Sequence, residues 1–384
     1  MNIVHVVESL AVGGLERVVL SLASWQRQRG DTSQVVCLFH EGALAAEARA
    51  QGIDVLALDK TQGLDLRALR ALRAALRNAR ADVLHTHNAV AHYYAVAATL
   101  GLGIRCVINT RHGMGAVRDS ARLDHLYRTA LLGTDVAVSV CHAGQDRFVQ
   151  AGVIPSAKAV VVPNGVAMAD IKARTAQAKA SLLAGFGHAP DTLVLGTVGR
   201  LSPVKDHANL LHAVQRLHTA GRRVALFVVG DGETRASLEA LAGRLNIGEC
   251  VHFLGMRQDV AQLLPAFDVF VLSSISEGYS LALVEAAAAA LPIVATRVGG
   301  NADVVADGTT GVLVPAKDAD ALAAAVVRLD DDAALRERMG HAGRQWALRH
   351  GTVDAMGRAY LALYEDPSAD ALRRRASATP GVDV

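Results

Sequence analysis

The stretch Leu193-Val-Leu-Gly-Thr-Val-Gly-Arg-Leu-Ser-Pro-Val-Lys205 opens on six residues of strand character, stops at Gly199, and is followed from His207 by a helical pattern. A short apolar run closed by Gly and Pro and then a helix is the first half of a βα unit. In open parallel sheets, ligands gather outside the carboxyl ends of the strands. Arg200 and Lys205 stand at such an end. Either cation alone reads as a surface charge; together at one crevice edge they can bridge a diphosphate.

Working outward, the same pattern repeats. Strand-like runs follow at 224–229, 251–253, 269–272, 293–295 and 312–314, and an earlier series lies at 3–7, 34–39, 54–58, 82–86, 106–110, 136–140 and 159–162. Helical patterns fill most of the gaps, so both halves read as parallel α/β sheets. The rhythm breaks at Val162-Pro-Asn-Gly-Val166, a turn signal. Five segments are therefore expected. Residues 1–166 form an N-terminal Rossmann-like domain, and 167–190, alanine-rich with a helical piece, a linker. Residues 191–350 form a second Rossmann-like domain, with a helical pattern from 319 to about 348. A last helix, within 351–366, covers 353–364, and 367–384 is a disordered tail containing Arg373-Arg-Arg375. The fold class is α/β, two doubly wound parallel-sheet domains with a ligand cleft between them, and 163–166 and the region before Val353 are candidate hinges.

Composition narrows the function. With 384 residues and 51% apolar composition the chain can bury two cores, and its net charge of +2 does not point to nucleic acid. No cleavable leader and no apolar run of about 18 residues is seen, so a cytoplasmic chain is expected. Cys37, Cys106, Cys141 and Cys250 are far apart and read as buried, reduced thiols. One helical pattern carries arginines at 67, 70, 73, 77 and 80. At ~100° per residue they fit an arc of roughly 140°. That face is either solvated or docks on an anionic, peripheral membrane surface.

Two further places could hold phosphate. Glu8-Ser-Leu-Ala-Val-Gly-Gly-Leu-Glu-Arg17 brings Gly13 and Gly14 to a helix start, where backbone amides can approach an anion, although a tight turn explains the glycines equally. It is not G-x-G-x-x-G, which disfavours an NAD-dependent dehydrogenase. Ser273-Ser-Ile-Ser-Glu-Gly-Tyr-Ser-Leu281 leads from a strand into an apolar helix pattern over 281–293, with Glu277 before it and Glu285 inside. Read alone, these are a capping acid and an exposed helical acid, but an acid on so apolar a helix is costly unless it faces a cleft. Eight helical residues span about 12 Å, too far for a glycosidase pair at roughly 5–9.5 Å. Two acids holding separate diol groups with a diphosphate between them fit a sugar nucleotide better. Asp318-Ala-Asp320 matches D-x-D but begins a helix, and reads as a cap rather than a metal site.

Together, Gly13-Gly-Leu-Glu16, His85-Thr-His87, Arg111-His-Gly113, Val162-Pro-Asn-Gly-Val166, Gly199-Arg-Leu-Ser-Pro-Val-Lys205, Val229-Gly-Asp-Gly232, Phe253-Leu-Gly255 and Glu277 with Glu285 resemble glycosyltransferase family 4 up to about residue 364. That resemblance implies the GT-B fold of two facing Rossmann-like domains and retaining sugar transfer from a nucleotide diphosphate sugar. It further implies that Arg200 and Lys205 bind the diphosphate with the amides of Gly14, Ser280 and Leu281, and that Gly13, Gly278 and Tyr279 shape the donor site. Glu277 would contact the donor sugar, Glu285 the ribose and Met256 the base, while His112 would lie at the reaction centre. His85 and His87 would be acceptor contacts or structural. Many members carry Gly or Pro where this chain has Ser280, and Gly where it has Asp206, which leaves the donor open; Asp206 can cap the next helix.

The expected function is transfer to a hydroxyl acceptor, a lipid-linked glycan in surface polysaccharide or lipopolysaccharide biosynthesis, with no metal and no cofactor. The alternatives are another GT-B activity, a sugar-nucleotide epimerase or phosphorylase, and a non-catalytic nucleotide-sugar-binding subunit.

Overall fold

A computed structural model describes residues 1–115 and 121–368. Two compact units emerge: Met1–Val166 with Val353–Val384, and Ala167–Thr352. Most of the tail expected to be disordered, from residue 369, lies outside the described residues.

The first unit contains seven parallel strands, β1 (Asn2–Val7), β2 (Thr32–Cys37), β3 (Asp54–Ala57), β4 (Val83–His87), β5 (Cys106–Arg111), β6 (Val136–Ser139) and β7 (Ala159–Val161), in the order β3-β2-β1-β4-β5-β6-β7. The second has six, β8 (Leu193–Val198), β9 (Val224–Val229), β10 (Val251–Gly255), β11 (Val269–Leu272), β12 (Ile293–Thr296) and β13 (Gly311–Val314), in the order β10-β9-β8-β11-β12-β13. Every pairing is parallel. Strand β9 is buried along its whole length and is written as a continuous apolar run rather than an alternating one, whereas β4, equally buried, ends in the polar His85-Thr-His87. In both sheets the order reverses beside the first strand, between β1 and β4 and between β8 and β11. Those two switch points are where ligands enter this architecture.

Each expected strand is present, with shifts of a residue or two at the ends. The largest is β2, which begins at Thr32 because Thr32 and Ser33 pair in register with Asn2 and Ile3. The long helical pattern after β13 is two helices, Ala319–Asp331 and Ala333–His350, separated by Asp332, whose carboxylate accepts the Leu335 N–H at 2.8 Å.

The reading of 167–190 as a linker is corrected. Helix Ala176–Gly185 is tied into the second unit, with Arg174 and Lys179 flanking buried Asp268 at 2.8 and 2.6 Å. The Arg174 and Thr175 amides donate to the carbonyls of Ala289 and Pro265. Alanine-rich composition hid the anchor, because charge partners almost a hundred residues away leave no local signal.

The C-terminal helix Val353–Glu365 packs on the first unit against helix Gly14–Gln28. Their approach is set by Gly357, where an added Cβ would meet the Trp25 ring at 2.4 Å. The face it presents carries buried Tyr360 and Tyr364.

Candidate active site

In the second unit, the loops after β8 and β11 meet at the switch point. Lys205 Nζ lies 2.6 Å from Glu277 Oε1, and the Ser274 hydroxyl donates to the same oxygen. Glu277 is only 9% exposed, so its charge is held by these two donors rather than by water. The loop carrying it is braced from behind by Gly299, whose φ of +49° suits glycine and where a Cβ would stand 1.7 Å from the Glu277 carbonyl oxygen. Arg200 is not part of this pair. Its side chain is 77% exposed and faces Glu233 at 3.6 Å.

Helix Leu281–Ala288 begins beside this pair, with Ser280 as its N-cap residue and no side-chain cap. Its first-turn amides therefore supply positive potential that no side chain of the cap consumes. Ser280 and Tyr279 are buried, Gly278 accepts the Gly300 N–H at 3.1 Å, and Met256 is exposed beyond β10. Glu285 is inside the helix, and burial pushes its carboxyl up to about 7. Asp206 differs from its expected role: it occupies the N-cap position of helix His207–Thr219 but makes no side-chain cap. The cause is its left-handed backbone, φ +47° and ψ +46°, a conformation more at home on glycine. Asp318 does cap its helix, accepting the Ala321 N–H at 2.8 Å, and Asp320 pairs with Arg216. The D-x-D string is thus engaged in structure.

In the first unit, Gly13 is the N-cap of helix Gly14–Gln28, and a Cβ there would fall 2.4 Å from Glu16 Oε2. Nearby burial raises the carboxyl pKa of both Glu8 and Glu16. His112 follows β5. Its backbone N–H donates to Asn88 Oδ1 at 3.2 Å, and the preceding Arg111 is pinned over the rings of Tyr127 and Phe148. His112 Nε2 is 2.9 Å from His87 Nδ1, and its own Nδ1 is shielded from solvent and has no hydrogen-bond partner among the described residues.

His112 heads a larger buried assembly. His5 pairs in register with His85 across β1 and β4, and the strand period of two returns His87 to the same face. His5 Nδ1 is 3.1 Å from His87 Nε2, and His5 Nε2 is 2.9 Å from Gln26 Oε1. His85 bonds Tyr364 Oη at 2.7 Å and Thr110 Oγ1 at 2.8 Å; Thr110 in turn meets Tyr360 Oη at 3.0 Å. Burial pushes His5 down to about 4, His112 to about 3, and His85 and His87 well below the ordinary histidine range, so the rings are neutral at pH 7.

One nitrogen from each of His5, His85 and His87 lies within 4.8 Å of the others. A metal at about 2.0–2.1 Å from each would have to break their bonds to Gln26, Tyr364, Thr110 or one another. The donor set fits a hydrogen-bond chain instead.

Sequence reasoning named His85, His87 and His112 but missed His5, Gln26, Tyr360 and Tyr364. Their separations, 82 residues for His5–His87 and 279 for His85–Tyr364, leave no motif.

Comparison with known proteins now bears on both units. The Glycosyltransferase Family 4 model matches residues 12–170, and the glycosyl transferases group 1 model matches 180–346. A D-inositol 3-phosphate glycosyltransferase of Stackebrandtia nassauensis is 30% identical over 366 residues, 91% of this chain and 75% of the relative. The chain belongs to glycosyltransferase family 4. It is also 28% identical, over 280 residues, to the Escherichia coli UDP-Gal:alpha-D-GlcNAc-diphosphoundecaprenol alpha-1,3-galactosyltransferase, covering 71% of this chain and 72% of that one. Anabaena Alr3699/HepE, solved in complex with UDP and glucose, superposes with a TM-score of 0.82 at 21% identity, covering 95% of this chain and 100% of that one. The fold is GT-B, and this family 4 member is a glycosyltransferase.

Proposed function

We propose that this family 4 enzyme moves a sugar, with retention of anomeric configuration, from a nucleotide diphosphate sugar to a hydroxyl of a lipid-linked glycan in surface polysaccharide or lipopolysaccharide biosynthesis. The observation that carries the donor half is the Lys205–Glu277 pair, 2.6 Å apart at the C-terminal ends of β8 and β11 and next to the uncapped start of helix Leu281–Ala288. As the glycosidic bond loosens, negative charge grows on the leaving phosphate, and Lys205, Arg200 and the helix amides stabilise it there more than in the ground state. Glu277 orients Lys205 and accepts from donor-sugar hydroxyls; Glu285 accepts from the ribose. Gly14 adds a backbone donor, and His112 serves the reacting sugar. Stabilisation by cations and amides gives the reaction no requirement for a divalent ion or an organic cofactor.

The relatives support the donor and acceptor classes: the E. coli relative's name specifies a UDP-sugar and a diphosphoundecaprenol acceptor. Nucleoside diphosphates that bind the native state should raise its melting temperature, by an amount equivalent to about 2.7 kcal/mol at a hundredfold excess over Kd. A thermal-shift screen of UDP, GDP and ADP tests this. One diphosphate is expected to stabilise wild type and not Lys205→Ala; no shift with any of them would overturn the donor assignment.

For the acceptor, the proposed setting is the inner face of the plasma membrane. Helix Leu66–Asn78 carries exposed Arg67, Arg70 and Arg77, with exposed Arg80 just beyond, and Leu64, Leu66 and Leu100 are 77%, 51% and 74% exposed nearby in the chain or at Arg73's bonding partners. Arg73 is less free: it donates to the carbonyls of Ala98 and Leu100. No helix among the described residues is long and apolar enough to cross a membrane. Basic residues near an anionic bilayer contribute about 1 kcal/mol each. Co-sedimentation with phosphatidylglycerol vesicles is expected to fall roughly tenfold or more when Arg67, Arg70, Arg77 and Arg80 are changed to glutamate. Equal sedimentation would leave this a solvated face.

A further inference from the structure

The buried histidines form a line with a direction. Gln26 Oε1 takes two contacts, His5 Nε2 at 2.9 Å and Ser33 Oγ at 3.1 Å, and Gln26 Nε2 donates to Tyr364 Oη at 3.3 Å. An amide oxygen can only accept. His5 must therefore carry its proton on Nε2, which leaves Nδ1 as an acceptor. Since the ring is neutral, His87 must donate from Nε2, and His87 Nδ1 must accept in turn from His112 Nε2. Every ring in the line is then forced into the Nε2–H tautomer, and the last atom, His112 Nδ1, is an acceptor with no partner among the described residues.

Turning the Gln26 amide over reverses the whole line. His5, His87 and His112 would all carry Nδ1–H, and both His112 Nδ1–H and the Ser33 hydroxyl proton would be buried donors with nothing described to receive them. Ser33 is 3% exposed and Gln26 1% exposed, so water does not relieve that arrangement. The orientation with Oε1 on His5 leaves only an acceptor lone pair at this end.

We propose that Gln26, His5 and His87 are positioning residues that hold His112 as the Nε2–H tautomer and present its Nδ1 as a bare hydrogen-bond acceptor. Tyr364, delivered by the C-terminal helix, belongs to the same device, since its hydroxyl accepts from Gln26 Nε2 and fixes the amide. Once uncovered to a substrate, the Nδ1 so held is a neutral acceptor, suited to a sugar hydroxyl and unsuited to a phosphate oxygen, which offers no proton at neutral pH. Only the use made of His112 rests on the proposed function; the tautomer itself does not.

The test is nitrogen NMR of the full chain labelled with 15N-histidine at pH 7.5, with the His112 signals assigned by their loss in His112→Asn. The expected spectrum has His112 Nδ1 in the pyridine-like range and Nε2 in the pyrrole-like range. A protonated Nδ1, or an imidazolium with both nitrogens protonated, overturns the proposal. In Gln26→Leu, which removes the acceptor that starts the line, His112 is expected to lose its single tautomer and give averaged shifts. An unchanged His112 in a folded Gln26→Leu protein also overturns it. The wild-type spectrum decides the matter whether or not that variant folds, and neither readout depends on donor turnover.

Discussion

Changing Lys205 to alanine is expected to lower turnover by about 10²–10³-fold, the loss seen when one preorganised donor is removed from a developing negative charge. The prediction follows from Lys205 standing at the carboxyl end of β8 with its ammonium aimed across to the β11 loop by Glu277. Glu277→Ala should cut turnover for a second reason, because it removes the group that orients Lys205 and, on the proposed function, a contact to the donor sugar. Stability separates the pairing from the chemistry. Each single alanine variant leaves the other member of a largely buried pair without its partner, a change that costs a few kcal/mol when burial is complete and less here, where Lys205 is 20% exposed. The double variant is expected to be more stable than the sum of the singles implies, by about 1–3 kcal/mol in a denaturation cycle. Strict additivity would mean that the pair is not coupled.

Acidification is expected to unfold the first unit selectively. His5, His85, His87, His92 and His112 are held neutral there by burial, with His5 pushed to about 4 and His92 and His112 to about 3. A histidine whose folded pKa is depressed takes up its proton first in the unfolded chain. Stability is therefore unaffected by these groups above about pH 6.5 and falls as pH drops through the window from 6.5 toward 4. Each such group contributes up to about 1.4 kcal/mol per pH unit, so five exceed about 5 kcal/mol per unit, comparable with a whole domain's stability. Glu8 and Glu16, raised by burial, oppose this in the first unit but are outnumbered by its five histidines, whereas in the second unit the single His207, lowered to about 4, is opposed by Glu285, raised to about 7. A carboxyl raised in the folded state destabilises as pH rises from the unfolded value near 4.5 toward 7, so acidification relieves it. Trp25 belongs to the first unit and Trp346 to the second. In Trp346→Phe protein, the Trp25 fluorescence transition in urea is expected to move to much lower denaturant between pH 7.5 and 5.5. An unchanged midpoint would contradict the account of neutral buried histidines.

Much of the architecture was legible because it is written in local periods. Parallel strands buried on both faces appear as apolar runs such as 224–229, and the helix start at Asp318 is marked by a residue that does cap, whereas the second start at Asp332 lies inside what reads as one continuous helical pattern. Lys205 and Glu277 were each legible as candidates, since each follows a strand at the same switch point, but their pairing was not, because the sequence joined Lys205 with Arg200 and Glu277 with Glu285. What escaped the sequence was partner choice over distance. Arg200 reads as the companion of Lys205 but faces Glu233 instead, and Arg174 and Lys179 read as linker residues but clamp Asp268. The histidine line needs the strand order β1-β4 before His5 can stand beside His85, and it needs the C-terminal helix before Tyr364 can reach Gln26. Neither is visible in any window of neighbouring residues.

The most direct test of the central claim is nucleoside diphosphate release from UDP-, GDP- and ADP-linked sugars, with bacterial membrane lipids as acceptor, by wild type and by Lys205→Ala/Glu277→Ala protein. The account predicts release from at least one donor by wild type and a fall of about a hundredfold or more in the double variant. Equal release by the two proteins would contradict it.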